Sequence, residues 1–138
     1  MKLLVKVLTT ALMALAVTSC ANLSTYKNYK NKKLSDDLVA KIRPSTKNSV
    51  FTPGIASVRN TSRDASDKKT KSVGGAMAGY PVKMNLLPGR YVITFYCFTG
   101  NTYAFPSAEV VVEEGSTYYS RCFNAPEGKV GVEVYEAE

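Results

Sequence analysis

Few residues of this chain could do chemistry, and the three cysteines, Cys20, Cys97 and Cys122, come first. The chain has no histidine, so it lacks the commonest general base and metal ligand. The cysteines are too far apart for a Cys-x-x-Cys pair of the redox or zinc-binding kind. A thiol can still be acylated or form a disulfide. We therefore expect anchoring or cross-linking by the cysteines, with no cofactor and no metal.

The carboxylates do not suggest a catalytic pair. Hydrolysis by two acids requires carboxyl groups on either side of one scissile bond, whereas the acidic pairs here are sequence neighbours, Asp36-Asp37 and Glu113-Glu114. Neighbouring side chains of a strand point to opposite faces. No serine lies in a nucleophile-elbow pattern, although composition leaves a serine-lysine mechanism open. We expect a protein that is not an enzyme.

The first twenty residues must position Cys20, and they form a pattern of their own. Lys2 and Lys6 give a positive start. The apolar run 3–17 is about fifteen residues long, shorter than the roughly 20 that a membrane-spanning helix requires. The pattern predicts a secretion signal, residues 1–19, that is cleaved. The alternatives are an uncleaved membrane anchor or a buried amino-terminal helix.

The residues Val17-Thr18-Ser19-Cys20 resemble the lipobox of bacterial lipoproteins. The resemblance implies that signal peptidase II cuts before Cys20 and that the thiol and the new amino group are acylated, so that the lipid bilayer becomes a partner. Ala21 is not the aspartate that retains many enterobacteria-like lipoproteins in the inner membrane. The resemblance implies a lipid-anchored protein of the bacterial cell envelope, on the outer membrane facing the periplasm if the source has two membranes.

Cys97 and Cys122 remain as a pair once Cys20 carries a lipid. In an oxidising compartment such a pair predicts a disulfide. Closing a loop of about 25 residues would stabilise the fold by roughly 3 to 4 kcal/mol. The alternative is two reduced, buried thiols.

Positive charge is concentrated in the first half of the chain. Lysine and arginine outnumber the acidic residues by 18 to 11, and residues 26–71 carry twelve basic and four acidic side chains. In an exported protein the accessible anions are lipid head groups, cell-wall carboxylates and acidic partners rather than nucleic acid. A candidate anion-contact surface lies in the loop 59–72, and it consists of Arg63, Lys68, Lys69 and Lys71. The alternative is a solvated segment without a ligand.

Residues 20–48 are predicted to join the lipid to the folded domain. Residues 22–33 are polar and basic with almost no aliphatic side chains, so they cannot bury enough apolar surface to offset their ordering entropy. We expect a disordered tether there. The folded domain is expected over residues 49–138.

Residues 34–43 predict a short docking helix. Ser35 is a suitable N-cap, and Pro44 would stop the helix after two turns. Such a short helix requires packing of one face, which would carry Leu38 and Ile42.

The rest of the chain predicts strands and turns. A first strand within 49–60 is expected to break at a Pro53-Gly54 turn, and Pro88-Gly89 fits a type II turn. The glycine-rich run 73–79 lacks the spacing of a nucleotide-binding loop and predicts a flexible or bulged connection. Further strands are predicted at 82–86, 90–99, 107–113, 117–123 and 130–135.

The segment 90–99 is the most hydrophobic of these strands. Its two faces carry Tyr91, Ile93, Phe95 and Cys97 on one side, and Val92, Thr94, Tyr96 and Phe98 on the other. Because both faces are apolar or aromatic, we expect a central strand with core packing on both sides. The alternative is an exposed aromatic platform for a ligand.

The two cysteines constrain the arrangement of the strands. In one flat meander, Cys97 and Cys122 would lie two strand spacings apart, about 9.5 Å, beyond the roughly 7 Å that a disulfide tolerates. Two sheets packed face to face permit the bond. The fold class predicted is mainly β, a two-sheet antiparallel β-sandwich preceded by a tether and a short helix.

Residues 82–91, a strand followed by Pro-Gly-Arg-Tyr, and residues 110–119, a strand followed by Gly-Ser-Thr-Tyr, resemble a signature of small bacterial envelope lipoproteins. The resemblance covers about residues 55–135 and implies a transthyretin-like or immunoglobulin-like β-sandwich. It implies no particular activity.

Two functions are compatible with these expectations. The first is a non-catalytic, membrane-anchored module that binds or scaffolds an envelope protein or a cell-wall component. The second is a small envelope enzyme, inhibitor or immunity protein that acts on cell-wall material. The absence of a reactive constellation favours the first.

Overall fold

The structure is a computed structural model that describes residues 21–30, 34–47 and 51–138. The predicted signal 1–19 and Cys20 lie outside the described residues. The described ranges form ten strands: β1 (Ala21–Lys27), β2 (Ala40–Pro44), β3 (Thr52–Asn60), β4 (Lys71–Ser72), β5 (Tyr80–Leu86), β6 (Gly89–Phe98), β7 (Tyr103–Ala104), β8 (Ser107–Val112), β9 (Thr117–Asn124) and β10 (Val130–Glu136). Short 3-10 turns lie at Asp36–Leu38 and Pro126–Gly128.

The strands form two sheets, which confirms the predicted β-sandwich. Sheet 1 has the order β1-β5-β2-β9-β10, and sheet 2 has the order β4-β3-β6, with β7 and β8 both paired to β6. Most pairs are antiparallel, but β1 runs parallel to β5 and β2 runs parallel to β9. The sandwich therefore includes two strands that precede the predicted domain start at residue 49.

The prediction of a disordered tether is wrong for its first part, because Ala21–Lys27 is β1. Its backbone pairs with β5 over two stretches separated by an irregularity between Asn22 and Thr25. The strand contributes backbone hydrogen-bonding groups to a sheet edge, so it needs few apolar side chains of its own.

The predicted docking helix is also wrong. Residues 36–38 form a single 3-10 turn, and the following residues form β2. Ala40 and Ile42 alternate into the core, whereas Leu38, expected on the same face as Ile42, is exposed. The segment forms a strand because β2 hydrogen-bonds to β5 on one side and to β9 on the other. A helix of two turns would be marginally stable by comparison. The alternation of Ala40, Lys41 and Ile42 suits the strand.

Pro53-Gly54 does not break β3, which is continuous over Thr52–Asn60. The irregularity in this strand lies instead between Ile55 and Ser57. Pro88 lies between β5 and β6, which belong to different sheets. The expected change of direction at Pro88-Gly89 is thus a crossing from one sheet to the other.

The inward faces of the two sheets form the core. One face of β6 is buried as expected, and it contributes Tyr91, Ile93, Phe95 and Cys97. Cys97 of sheet 2 is disulfide-bonded to Cys122 of sheet 1, with a Cα–Cα distance of 6.0 Å. The bond joins two facing sheets, and the predicted disulfide and the argument against a flat meander are both confirmed.

Candidate functional site

The outer face of β6 carries an aromatic cluster instead of a second core. Packing on both faces of this strand was expected, but Tyr96 is only partly buried and Phe98 is 39% exposed. Three rings from other segments join them, and we call the resulting surface the aromatic groove: Tyr80, Tyr96, Phe98, Tyr103 and Phe105. The alternative of an exposed aromatic platform fits this face.

Tyr96 is the centre of the cluster. Its ring stacks on Tyr80, with centroids 4.1 Å apart and planes inclined by 17°. Phe105, Phe98 and Tyr103 lie farther out, with centroids 5.3, 5.8 and 6.1 Å from that of Tyr96. Contacts between rings at these distances are favourable beyond the area that they bury. The rings therefore hold one another in place.

Gly54 explains how Tyr80 reaches this face. In β3 it pairs with Tyr96, and a Cβ at Gly54 would lie only 2.6 Å from the Cβ of Tyr80. Only glycine lets the Tyr80 side chain cross the strand and stack on Tyr96. Gly54 is thus a close-approach glycine and not the turn residue that its Pro-Gly context suggested.

A tight turn borders the groove. The N–H of Gly75 donates to the carbonyl of Gly79 at 3.2 Å, and the N–H of Gly79 donates back at 2.8 Å. Gly79 has a positive φ of 78°, which favours glycine. Met77 lies at the tip and is fully exposed. The glycine-rich run contributes Gly75, Ala76 and Gly79 to the lining of the groove, and Met77 projects into solvent from the same turn.

The aromatic groove is open and has a volume of about 730 Å³, and none of the described residues that line it is Lys, Arg, Asp or Glu. Tyr103 is 66% and Phe105 is 48% exposed. Such a surface binds by burying apolar area and by stacking, with the tyrosine hydroxyls as its polar groups.

Three residues of the candidate anion-contact surface, Arg63, Lys68 and Lys69, lie on the loop after β3, and the fourth, Lys71, begins β4. Lys69 and Lys71 line a smaller groove of about 340 Å³ together with Asp64 and Asp67. The amine of Lys71 lies 3.3 Å from the Asp67 carboxylate. The loop thus mixes lysines with carboxylates and does not form a uniformly positive surface.

The other two residues of that surface contact each other. The amine of Lys68 donates to the carbonyl of Arg63 at 3.2 Å. In the same loop the N–H of Lys69 and the amine of Lys71 hold the pKa of Asp67 below its usual value. Part of the loop's charge is therefore satisfied within the loop, and anion binding there stays a prediction.

Partly buried polar groups elsewhere stabilise the sandwich. The Arg43 guanidinium donates to the carbonyls of Ile42 and Met84 and to Asn85 Oδ1 at 2.9 Å, and its burial lowers its pKa. The Tyr91 hydroxyl donates to the Leu87 carbonyl, and burial raises its pKa. These groups are engaged within the fold.

Residues 21–30, 34–47 and 51–138 contain no cluster of three His, Cys, Asp or Glu side chains able to hold a metal ion. In the same part of the chain, no helix has the length and apolarity needed to span a membrane.

Comparisons with protein families, curated proteins and solved structures found no match to this chain. The site is therefore defined by geometry alone. From the sequence, Tyr96 and Phe98 are predicted to share one face of a strand, but the other three rings of the groove, Tyr80, Tyr103 and Phe105, are not predicted to join them. The glycine-rich run next to Tyr80 is a local sign of the close packing there.

Proposed function

We propose that the protein is a lipid-anchored, non-catalytic binding module of a bacterial cell envelope. The observation that carries the proposal is the aromatic groove, an open surface with five rings whose lining, within the described part of the chain, is uncharged. The rings are positioned by mutual stacking and by the close approach at Gly54. A preformed surface of this kind supports binding and gives no support to an enzyme.

The anchor would be Cys20, acylated after cleavage of residues 1–19, on the outer membrane facing the periplasm if the cell has two membranes. The disulfide between Cys97 and Cys122 agrees with an exported protein, because such bonds persist in oxidising compartments. The bilayer is the first partner. A second partner, an envelope protein or a cell-wall component, would have to bring an uncharged, apolar face to the groove.

Anchoring can be tested on the full chain and a Cys20→Ser variant, expressed in a bacterium supplied with a labelled fatty acid. The full chain should incorporate label and sediment with the envelope, and the variant should remain unlabelled and unprocessed. Normal membrane fractionation of the Cys20→Ser variant would contradict the proposed anchor.

Binding at the groove can be tested by photo-cross-linking in the same cells. A photoreactive amino acid would replace Tyr103 in the groove or, as a control, Val111, which is 57% exposed on β8. Cross-links to envelope lipid or protein should form from position 103 and be weak from position 111. Equal yields from the two positions would show that the groove is not the binding surface.

A further inference from the structure

The start of β1 lies next to the aromatic groove. β1 and β5 run parallel, and Ala21 is paired with Tyr80, whose ring stacks on Tyr96. Adjacent strands are about 4.8 Å apart, and consecutive Cα atoms are about 3.8 Å apart. A lipid on Cys20 would therefore be attached one residue from a backbone that borders the groove.

We propose that the aromatic groove and Met77 lie against the bilayer in which Cys20 is anchored, so that the occupant of the groove is the membrane interface. This inference rests on the proposed acylation of Cys20. It follows from the short connection between the lipid and the fold, because β1 begins at Ala21 and is paired with β5 of sheet 1 from that residue. The end of the sandwich that bears the groove cannot move far from the lipid.

The chemistry of this surface suits a bilayer interface. Tyrosine rings are enriched at the level of the head groups, where one end of the ring is apolar and the other is hydrated. Tyr80, Tyr96 and Tyr103 supply three such rings. Met77, fully exposed at the tip of its turn, would gain by entering the apolar boundary.

Acyl chains and an apolar surface reinforce each other as membrane signals. Over residues 21–30, 34–47 and 51–138, the groove lining includes no Asp or Glu that would have to be desolvated against the membrane. The candidate anion-contact surface lies toward the other end of β3: Arg63, Lys68 and Lys69 are in the loop that follows Asn60, and Lys71 pairs with Val58 near that end. It would face away from the bilayer that holds the anchor.

The chain contains no tryptophan, so a single introduced tryptophan reports one position without background. The test uses acylated full-length protein carrying Met77→Trp, purified and reconstituted into vesicles of phosphatidylethanolamine and phosphatidylglycerol, with and without brominated acyl chains. The matched control is Val111→Trp. Val111 is exposed on β8 of sheet 2. It is paired with Arg90, which lies at the opposite end of β6 from Phe98.

The Met77→Trp variant should show blue-shifted emission and lose most of it to brominated lipid, whereas Val111→Trp should keep a solvent-exposed spectrum. Tyr103→Trp serves as a second groove reporter, and it should be quenched as well. Equal quenching of the groove and control positions would overturn the inference, because the domain would then have no preferred orientation.

Two further outcomes would also overturn it. A blue shift without quenching by brominated lipid would mean that the protein's own acyl chain fills the groove. A solvent-exposed spectrum at both positions 77 and 103 in vesicle-bound, acylated protein would mean that the groove faces water and is open to a soluble partner. In both cases the proposed anchoring survives. A mass without acyl groups on Cys20 would overturn the anchoring and this inference together.

Discussion

The two ends of the β3–β6 pair carry surfaces of different chemistry. At one end, Thr52 pairs with Phe98 and the outer face carries the aromatic groove. At the other end, Asn60 pairs with Tyr91 and the chain continues into the lysine-rich loop. The same two strands therefore connect an uncharged surface and a highly charged one.

The charged end satisfies many of its polar groups internally. Asp67 accepts from the N–H of Lys69 at 3.0 Å and lies 3.3 Å from the amine of Lys71. Asn28 donates to the Tyr91 hydroxyl at 2.9 Å and accepts from the N–H of Leu87 at 2.9 Å. A high local charge is thus compatible with a loop that has no ligand.

The aromatic end differs because its rings contact one another and still leave large apolar areas in water. A contiguous cluster of exposed aromatic rings is typical of an interaction site, whereas surface charge is normal for a folded protein. The comparison indicates that the aromatic end is the better candidate for a binding site, although the net charge of the sequence favours the lysine-rich end.

The disulfide should have the largest effect, and it lies at the aromatic end, since Cys97 separates Tyr96 from Phe98. A Cys97→Ala, Cys122→Ala double variant removes a cross-link between residues 25 apart, which should lower the free energy of unfolding by about 3 to 4 kcal/mol. Urea denaturation measures the loss, and reduced wild-type protein should show the same loss.

The comparison between the two ends makes this prediction sharper. Hydrogen exchange of the amides of Tyr96 and Phe98 should accelerate more in the double variant than exchange of the amides of Tyr91 and Val92. Uniform acceleration along β6 would show that the disulfide stabilises the sandwich as a whole and does not specifically hold the groove.

A substitution at Gly54 should have an intermediate effect. Gly54→Ala places a Cβ 2.6 Å from the Cβ of Tyr80, and overpacking of this kind destabilises by about 1 to 3 kcal/mol. The near-ultraviolet circular dichroism of the tyrosines should change because the stack of Tyr80 on Tyr96 is displaced. The control is Gly75→Ala, where an added Cβ meets no atom within 4 Å. Equal stability of the two variants would refute the close-approach role.

Much of the sandwich could be predicted because its strands alternate. In β6 and β10, apolar residues recur at every second position, and the pair Cys97 and Cys122 requires two facing sheets. These signals are local or depend on only two residues. The aromatic alternation in β6 was also visible, but alternation does not distinguish a ring that faces a second core from one that faces water.

The rest depends on contacts between distant segments. β1 lacks a regular apolar alternation, and its strand conformation follows from pairing with β5, which begins some sixty residues later (Ala21 with Tyr80). The groove collects rings from β5, β6 and the segment around β7, and Gly54 matters only because Tyr80 crosses it. Periodicity contains no information about which of these segments meet.

The smallest effect is expected at the charged end, with Asp67→Asn. The pKa of Asp67 is lowered first by the N–H of Lys69 and then by the amine of Lys71. A carboxylate with a lowered pKa stabilises the fold above its ordinary pKa of about 3.9, and this contribution disappears as the pH falls through the folded value. Asp67→Asn should therefore have a slightly lower urea midpoint than the wild type at neutral pH, and this difference in midpoint should disappear in strong acid.

Asp64→Asn, in the same loop, is the control. A gap that persists in acid would show that Asp67 acts through its shape and hydrogen bonds, because its charge is then absent from both proteins.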